Sequence, residues 1–305
     1  MTVQAEDSRR TEAATATASP VARLAPAIRR QERFASVAST NDVIAGWLAA
    51  GEPEICVAVA DEQTAGRGRS GRAWTAPPGA GLLLSLGFRP TWLAPDRVWR
   101  LAATTSLAMA DAAEEVGGLP DRSIRLKWPN DLVVVVDATG RGVDPIATRD
   151  DGLAPGAVRK LAGVLGETTG LGSEDARAVV GIGLNADWRP TDFPVDLAAT
   201  MTSVRAAAGD RPVDLALLLD AFLSRLETRI EALHGGRFDV ADWFDRQLTT
   251  GREVDLVLPD GSVDRVVARG VDPASGALVV SETVADAAER AVVVGEIRHV
   301  RLAEV

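Results

Sequence analysis

The most informative stretch of the sequence for fold and function is Asp61-Glu62-Gln63-Thr64-Ala65-Gly66-Arg67-Gly68-Arg69-Ser70-Gly71-Arg72-Ala73-Trp74. It follows the apolar run 55–60, which is typical of a buried strand, so the segment emerges at a sheet edge. Its glycines let the backbone fold closely around a ligand and expose N–H donors. Its arginines carry forked donors that suit phosphate or carboxylate, and Trp74 offers a flat face for an adenine. The combination predicts an anion site with a nucleotide as ligand; a solvated run of charge is the alternative.

A second polar segment joins two predicted strands and reads Lys127-Trp128-Pro129-Asn130-Asp131-Leu132. Lys127 ends one strand, and a rigid turn follows it, so its ammonium group is expected to point into a cleft. A fixed cation there would stabilise the charge that builds on an α-phosphate when a carboxylate attacks it. Asn130 and Asp131 are candidates to hold Mg²⁺ or the triphosphate. An ordinary β-turn with an exposed lysine would also explain the segment.

Glycines interrupt two further predicted strands, Lys160-Leu161-Ala162-Gly163-Val164-Leu165-Gly166-Glu167 and Val179-Val180-Gly181-Ile182-Gly183-Leu184-Asn185. Glycine inside a strand often marks the close approach of a ligand or of another backbone. Gly163, Gly181 and Gly183 would therefore leave room for a flat ligand, and Asn185 would reach ATP or a metal. Tight packing against a helix is the alternative for each glycine.

The segment Ser39-Thr40-Asn41 lies at a predicted helix start. Ser39 and Asp42 have the spacing of a capping box. Hydroxyls and N-terminal N–H groups at such a position can also hold a polar head group or a carboxylate. Capping alone would explain the residues equally well.

Periodicity predicts an α+β domain followed by a smaller β module. The predicted strands cover 33–37, 55–60, 82–86, 124–127, 132–136, 161–167 and 179–184, and the predicted helices cover 39–50, 95–116, 213–234 and 238–248. Residues 1–30, rich in Ala, Thr, Ser and charge, predict a disordered tail. Residues 31–248 are expected to form the catalytic domain and 249–305 a small β-barrel. Residues 137–155 predict a surface insertion with no assigned role.

Composition excludes several classes of function. The 305 residues carry a net charge of −10, which counts against a nucleic acid as main partner, since such binders must neutralise phosphates. The single cysteine, Cys56, rules out an intramolecular disulfide and fits a reducing compartment. No signal peptide and no apolar run of about 20 residues is visible, so the expected location is the cytoplasm, without membrane contact.

The motifs, in their order along the chain, resemble those of biotin–protein ligases. The shared elements are the Ser-Thr-Asn stretch, the loop that begins Gln-Thr-Ala-Gly-Arg-Gly-Arg, Lys-Trp-Pro-Asn-Asp, Lys-Leu-Ala-Gly-Val-Leu and Gly-Ile-Gly-Leu-Asn, at 39–41, 63–72, 127–131, 160–165 and 181–185. The resemblance covers the chain from about Phe34 to Asn185. It implies a class II synthetase-like mixed sheet with flanking helices and a C-terminal SH3-like barrel.

The resemblance also implies a two-step reaction and roles for its residues. Biotin and MgATP give biotinyl-5′-adenylate, and the acyl group then passes to a lysine of a biotin carboxyl carrier domain of an acyl-CoA or pyruvate carboxylase. The biotin contacts implied are Ser39, Thr40, Asn41, Gln63, Gly66, Arg67, Gly68, Arg69, Lys127, Gly163 and Gly181. The ATP and adenylate contacts implied are Arg69, Arg72, Trp74, Lys127, Asn130 and Asn185. The catalytic residues implied are Lys127, Arg67 and Arg69, and the metal ligands Asn130 and Asp131.

Several expectations mark the limits of this resemblance. The segment before Phe34 is too short and irregular for the winged helix-turn-helix of bifunctional members, so a ligase without repressor activity and without DNA as partner is expected. A lipoate–protein ligase is the alternative enzyme, and a nucleic-acid-binding regulator or a non-catalytic nucleotide-binding module are alternatives from other classes. The expected oligomeric state is a monomer or a weak homodimer.

Overall fold

The computed structural model describes residues 28–143, 157–258, 262–282, 288–293 and 299–302. Most of the predicted tail and most of the predicted insertion at 137–155 therefore lie outside the described residues. The last part of the predicted tail belongs to the fold, because Ile28 is buried and Arg30 begins the first strand.

A seven-stranded mixed sheet organises the larger domain. Its strands are β1 (Arg30–Phe34), β2 (Cys56–Ala60), β3 (Gly81–Phe88), β4 (Ile124–Lys127), β5 (Asp131–Val135), β6 (Val158–Thr169) and β7 (Arg177–Asn185). Their order across the sheet is β1-β2-β3-β7-β6-β5-β4. Strands β1 and β2 are parallel and every other neighbouring pair is antiparallel. The expected mixed sheet is confirmed.

In the part of the chain that the structure describes, six α-helices accompany the sheet: α1 (Thr40–Ala49), α2 (Trp99–Gly117), α3 (Val195–Ala198), α4 (Val204–Ala207), α5 (Leu215–His234) and α6 (Val240–Asp245). Strand β2 shows how they cover both faces. Val57 and Val59 belong to the large core under α2 and α5, whereas Cys56 and Ala58 pack with Ile44 of α1. Successive side chains of a strand point to opposite faces, so α1 lies on one face and α2 and α5 on the other.

Most predicted elements are present with shifted ends. The first strand covers Arg30–Phe34 rather than 33–37. Its polar sequence does not have the pattern typical of a strand, but parallel pairing with β2 supplies its backbone hydrogen bonds. The predicted helix 95–116 begins as a 3₁₀ turn over Pro95–Arg97 and becomes α-helical at Trp99. It ends before Gly118, whose left-handed φ of 67° terminates the helix.

The C-terminal module is a five-stranded antiparallel sheet. Its strands are β8 (Glu253–Val257), β9 (Val263–Val271), β10 (Leu278–Ser281), β11 (Arg290–Val292) and β12 (His299–Leu302), in the order β11-β10-β9-β8-β12. Among the described residues β11 and β12 are the two edges of an open sheet, so the expected closed SH3-like barrel is not seen, and it stays a prediction. The division at residue 249 stays a prediction; in the structure α6 ends at Asp245 and β8 begins at Glu253.

Three donors of the larger domain bind one turn of the C-terminal module. Trp99 Nε1 donates to Ala274 O over 3.3 Å, and Trp128 Nε1 donates to Gly276 O over 3.0 Å. Arg100 reaches the neighbouring carbonyl of Pro273. Trp128 is buried, so its hydrogen bond connects the C-terminal sheet directly to the Lys-Trp-Pro-Asn-Asp turn.

A buried ion network supports the strand that ends at Lys127. Arg246 donates to Ile124 O over 2.9 Å and to Glu114 Oε1 over 2.9 Å, and only 2% of its side chain is exposed. Burial alone would lower the pKa of Arg246, but the neighbouring carboxylates raise it overall. The charged guanidinium is therefore held against β4, which it fixes next to the cavity described below.

Candidate active site

The predicted motifs converge on one cavity of about 670 Å³. The arginine loop and Lys127 both line it, as the sequence led us to expect. The predicted site residues in its wall are Ser39, Thr40, Asn41, Gln63, Arg67, Gly68, Arg69, Arg72, Trp74, Lys127, Asn130, Asp131, Gly163 and Gly181. Gly66 and Asn185 were also predicted to contact ligand, but they do not line the cavity.

The arginine loop folds back on itself as a small hairpin. Gly68 N donates to Arg72 O over 2.7 Å, and Trp74 N donates to Gly66 O over 2.9 Å. The tip is a 3₁₀ turn over Arg69–Gly71. A Cβ at Gly66 would overlap the carbonyl oxygen of Trp74, so glycine is required there to close the hairpin. In the structure Gly66 therefore packs against Trp74 within the hairpin, and the predicted ligand contact stays a prediction.

Trp74 covers a pair of glycines on the sheet. Gly163 of β6 and Gly183 of β7 are register partners, which leaves a flat patch without side chains. A Cβ at Gly163 would lie 3.4 Å from Trp74 Cζ3, and one at Gly183 would overlap the indole nitrogen. The space that these glycines were expected to leave for a ligand is filled here by the indole. Trp74 Nε1 is buried without a hydrogen bond to protein.

At the other end of the cavity, Gln63 holds the start of α1. Its Oε1 accepts from Thr40 N over 2.8 Å and from Thr40 Oγ1 over 3.1 Å. Ser39 occupies the N-cap position, but its side chain makes no capping hydrogen bond, so the predicted capping box with Asp42 is wrong. Gln63 replaces it by satisfying a helix N-terminal amide from a distant loop. The result is an uncharged, mostly buried group of polar side chains.

Asn41 completes this uncharged end. Its Nδ2 donates to Glu167 Oε2 over 2.6 Å, and its Oδ1 accepts from Ser85 Oγ over 2.5 Å. Gly181 lacks a side chain where Asn41 packs, since a Cβ there would overlap Asn41 Oδ1. Gly181 therefore makes room for Asn41 rather than directly for a ligand. Neither Ser85 nor Glu167 carried a signal in the sequence that could have identified it.

The opposite end of the cavity is cationic. Lys160 Nζ lies 2.6 Å from Asp131 Oδ1 and 5.4 Å from the centre of the Trp74 ring. Burial lowers the pKa of the Arg69 guanidinium; Asp131 raises it and Arg72 lowers it, which places all three charges near one another. Four cations of the cavity wall, namely Arg69, Arg72, Lys127 and Lys160, thus accompany the single carboxylate of Asp131. Such an excess of positive charge is suited to a polyphosphate.

Arg67 differs from the other two arginines of the loop. It lies 2.8 Å from a carboxylate oxygen of Asp42 and 3.3 Å from one of Glu167. Both carboxylates raise the pKa of Arg67, Asp42 by its hydrogen bond being the largest cause. Arg67 lines the cavity, but in this structure its charge is already balanced, which does not favour the catalytic role predicted for it.

The predicted metal ligands do not form a metal cage. Asn130 Nδ2 donates to Val164 O over 2.9 Å, and Asp131 is paired with Lys160. Within the described ranges no group of three or more His, Cys, Asp or Glu side chains could hold a metal ion. Magnesium, however, is usually held by one or two carboxylates together with substrate phosphates. Asp131 fits that second arrangement, in which the ion arrives with the nucleotide.

Asn185 is part of the packing behind the cavity. It is fully buried, its Nδ2 donates to Thr202 O over 3.1 Å, and its Oδ1 has no protein donor. The predicted contact with ATP or metal is therefore replaced by a link between β7 and the segment before α4.

Comparison with known proteins agrees with this geometry. Residues 33–185 match the Biotin/lipoate A/B protein ligase family, which is half of the chain. The chain belongs to this family. The match includes strands β2 to β7 and ends before α3, so Leu197, Thr200 and Met201 of the cavity wall lie beyond it.

Two named members of this family are similar in sequence to the chain over most of its length. It is 31% identical over 278 residues to a "Biotin--[acetyl-CoA-carboxylase] ligase" of Mycobacterium tuberculosis, covering 90% of each chain. It is also 31% identical over 228 residues to the "Bifunctional ligase/repressor BirA" of Escherichia coli, covering 73% of this chain and 61% of that protein. The biotin protein ligase of Aquifex aeolicus, solved with biotin and ATP, shares the fold. That structure matches with a TM-score of 0.67 at 22% identity, covering 90% of this chain and all of that one.

Lys160 is a charged residue of the cavity wall that was not among the predicted site residues. Lys160 begins the Lys-Leu-Ala-Gly motif and lies within β6. The sequence alone does not show to which face of the sheet its side chain points. The β5–β6 register shifts between Leu132 and Val133, so simple alternation along the strand does not give that direction. A lysine just before a glycine-containing strand was the available signal.

Proposed function

We propose that the protein is a biotin–protein ligase. It activates biotin with ATP to biotinyl-5′-adenylate and transfers biotin to a lysine of a biotin carboxyl carrier domain. The observation that carries the proposal is the division of one cavity into an uncharged polar end and a cationic end. Biotin has a neutral ring system and a carboxylate, and ATP has a triphosphate, so the two substrates match the two ends.

The uncharged end would bind the ring system of biotin. Thr40 is hydrogen-bonded to Gln63 and Ser85, and Asn41 to Ser85 and Glu167, so these side chains present fixed donors and acceptors. A preformed polar surface of this kind loses little entropy on binding. Ser39 is also in the wall and almost fully buried. These side chains support the roles that the resemblance implied for them.

The cationic end would carry the first step. The carboxylate oxygen of biotin forms a bond to the α-phosphorus, the bond from that phosphorus to the bridging oxygen breaks, and pyrophosphate leaves. Negative charge on the phosphate oxygens is stabilised by fixed cations, for which Lys127, Lys160 and Arg69 are placed. Arg72 and Trp74 would contact the nucleotide. The bound Mg²⁺ would neutralise phosphate charge, with Asp131 and Asn130 on its side of the cavity.

The second step would use the same cations. The neutral amine of a carrier lysine attacks the acyl carbon, the bond to the phosphate oxygen breaks, AMP leaves, and the nitrogen loses a proton. The carrier domain would belong to an acyl-CoA or pyruvate carboxylase, the former being named for the relative from Mycobacterium tuberculosis. We propose that the ligase acts in the cytoplasm, since its single cysteine fits a reducing compartment. No helix in the described part of the chain is long and apolar enough to cross a membrane.

Calorimetry with biotin, ATP and both, followed by pyrophosphate release and mass spectrometry of a carrier domain, tests the proposal. We expect biotin-dependent pyrophosphate release and a single biotin on the carrier lysine. Lipoate serves as the competing substrate and duplex DNA as the competing ligand. Biotin signals at background, or carrier modification by lipoate instead, would refute the assignment.

A further inference from the structure

Glu167 contacts two parts of the site without belonging to the cavity wall. It lies in the exposed second half of β6. Its Oε2 accepts from Asn41 Nδ2 over 2.6 Å, and both its oxygens lie 3.3–3.4 Å from Arg67 Nη2. One carboxylate therefore binds a side chain of the uncharged end and a side chain of the arginine loop.

The contact with Asn41 determines which way that amide faces. A carboxylate can only accept hydrogen bonds, so the amide nitrogen must point to Glu167 and the amide oxygen to Ser85. Asn41 is buried, which makes a reversed amide costly because its oxygen would then face a carboxylate. Glu167 thereby fixes the donor and acceptor pattern that the cavity offers.

The contact with Arg67 ties the loop to the sheet. Asp42 at the start of α1 is the other carboxylate on this arginine, at 2.8 Å. All three side chains are partly exposed, so each ion pair taken alone contributes little. The tie is significant because Arg67 lies within the hairpin that places Arg69, Arg72 and Trp74.

We propose that Glu167 is a positioning residue that couples the biotin-ring end of the cavity to closure of the arginine loop. The proposal rests on the proposed ligase function for the identity of the ligand. When a ligand engages Asn41, the amide stays oriented only if Glu167 remains in place, and Glu167 in place also retains Arg67. Binding at one end therefore favours the loop conformation needed at the other.

The test is Glu167→Gln, which keeps the shape and removes the charge. A glutamine can donate as well as accept, so it no longer fixes Asn41, and it attracts Arg67 less. We expect biotin affinity by calorimetry to fall about tenfold, as for a lost charge-assisted hydrogen bond. Hydrogen exchange of the backbone amides of residues 66–74 in the ligand-free protein should accelerate severalfold. In the wild type, bound biotin should raise the affinity for ATP, and in Glu167→Gln that increase should be lost, a change that a merely destabilised protein would not give.

Two controls make the outcome decisive. Glu174→Gln removes a carboxylate in the exposed turn after β6 and should leave loop exchange and biotin affinity unchanged. In an Asn41→Ala background, Glu167→Gln should lower biotin affinity much less than it does in the wild type, since it acts through Asn41.

The proposal fails if Glu167→Gln matches the wild type in loop exchange, or in biotin affinity when the wild type binds biotin. If the wild type does not bind biotin, the ligase function fails separately. Hydrogen exchange of residues 66–74 in the ligand-free protein then still shows whether Glu167 holds Arg67 and its loop in place.

Discussion

A series of alanine substitutions at three glycines would test whether Trp74 must lie on the sheet to bind nucleotide. A Cβ at Gly183 would overlap the indole ring, with Trp74 Cδ1 at 3.0 Å, whereas a Cβ at Gly163 would lie 3.2 Å from the flexible end of Lys160. At Gly166 nothing lies within 4 Å. An added methyl group would therefore overlap its neighbours severely at Gly183, slightly at Gly163 and not at all at Gly166.

Gly183→Ala should either strain the site or expel the indole. Overpacking costs about 1–3 kcal/mol of unfolding free energy, and the indole can avoid this cost only by leaving the patch. Either way we expect the affinity for a non-hydrolysable ATP analogue to fall about tenfold, which corresponds to ~1.4 kcal/mol. Gly166→Ala should keep wild-type affinity and gain up to ~0.5 kcal/mol of stability, because glycine weakens a strand. Gly163→Ala should lie between them.

Calorimetry with the ATP analogue and thermal unfolding would measure both quantities. Tryptophan fluorescence would report whether the indole has moved into solvent. Equal affinity and equal stability for Gly183→Ala and Gly166→Ala would refute the placement of Trp74 on the glycine pair.

Three further predictions follow from single contacts. Lys160→Met should slow biotin-dependent pyrophosphate release about a hundredfold, the loss typical of a removed transition-state cation; a rate within threefold of wild type would contradict it. Burial raises the pKa of the Cys56 thiol from 9.0 to about 11, so native protein at pH 8 should react with thiol reagents far more slowly than unfolded protein. The same shift stabilises the fold below pH 9, and this contribution should be lost as the pH rises through about 11, as denaturant unfolding would show. Trp128→Phe removes the donor to Gly276 O and should lower the free energy of unfolding by ~1 kcal/mol in denaturant titrations.

The convergence of the site could be predicted because its motifs, in their order along the chain, resemble those of one ligase family. Gln63 follows β2, Lys127 ends β4, and the glycine motifs lie in β6 and β7, which are neighbours in the sheet. Strands β2 and β4 are not neighbours in the sheet, so strand adjacency alone does not bring Gln63 and Lys127 together. The resemblance therefore predicted the cavity, whereas its internal contacts could not be predicted.

Contacts that depend on register were beyond local reasoning. The pairing of Gly163 with Gly183, which creates the patch under Trp74, is fixed by how β6 aligns with β7. Asn41 and Glu167 are 126 positions apart, and neither spacing nor periodicity relates them. The loss of the capping box has the same origin, since Gln63 reaches Thr40 from another part of the chain. Tertiary contacts replaced local ones at each of these positions.

The loop arginines show why charge counted along the sequence is a poor measure of charge in a site. Arg67, Arg69 and Arg72 look equivalent in the sequence, yet Asp42 and Glu167 neutralise the first, while the other two lie among Lys127, Lys160 and a single carboxylate. An acidic chain with a net charge of −10 can therefore hold a strongly cationic cavity. Cations grouped in a cavity act on a small polyphosphate at short range, where salt screens them least. One arginine thus holds the loop, while the other two lie with Lys127 and Lys160 in the cavity wall.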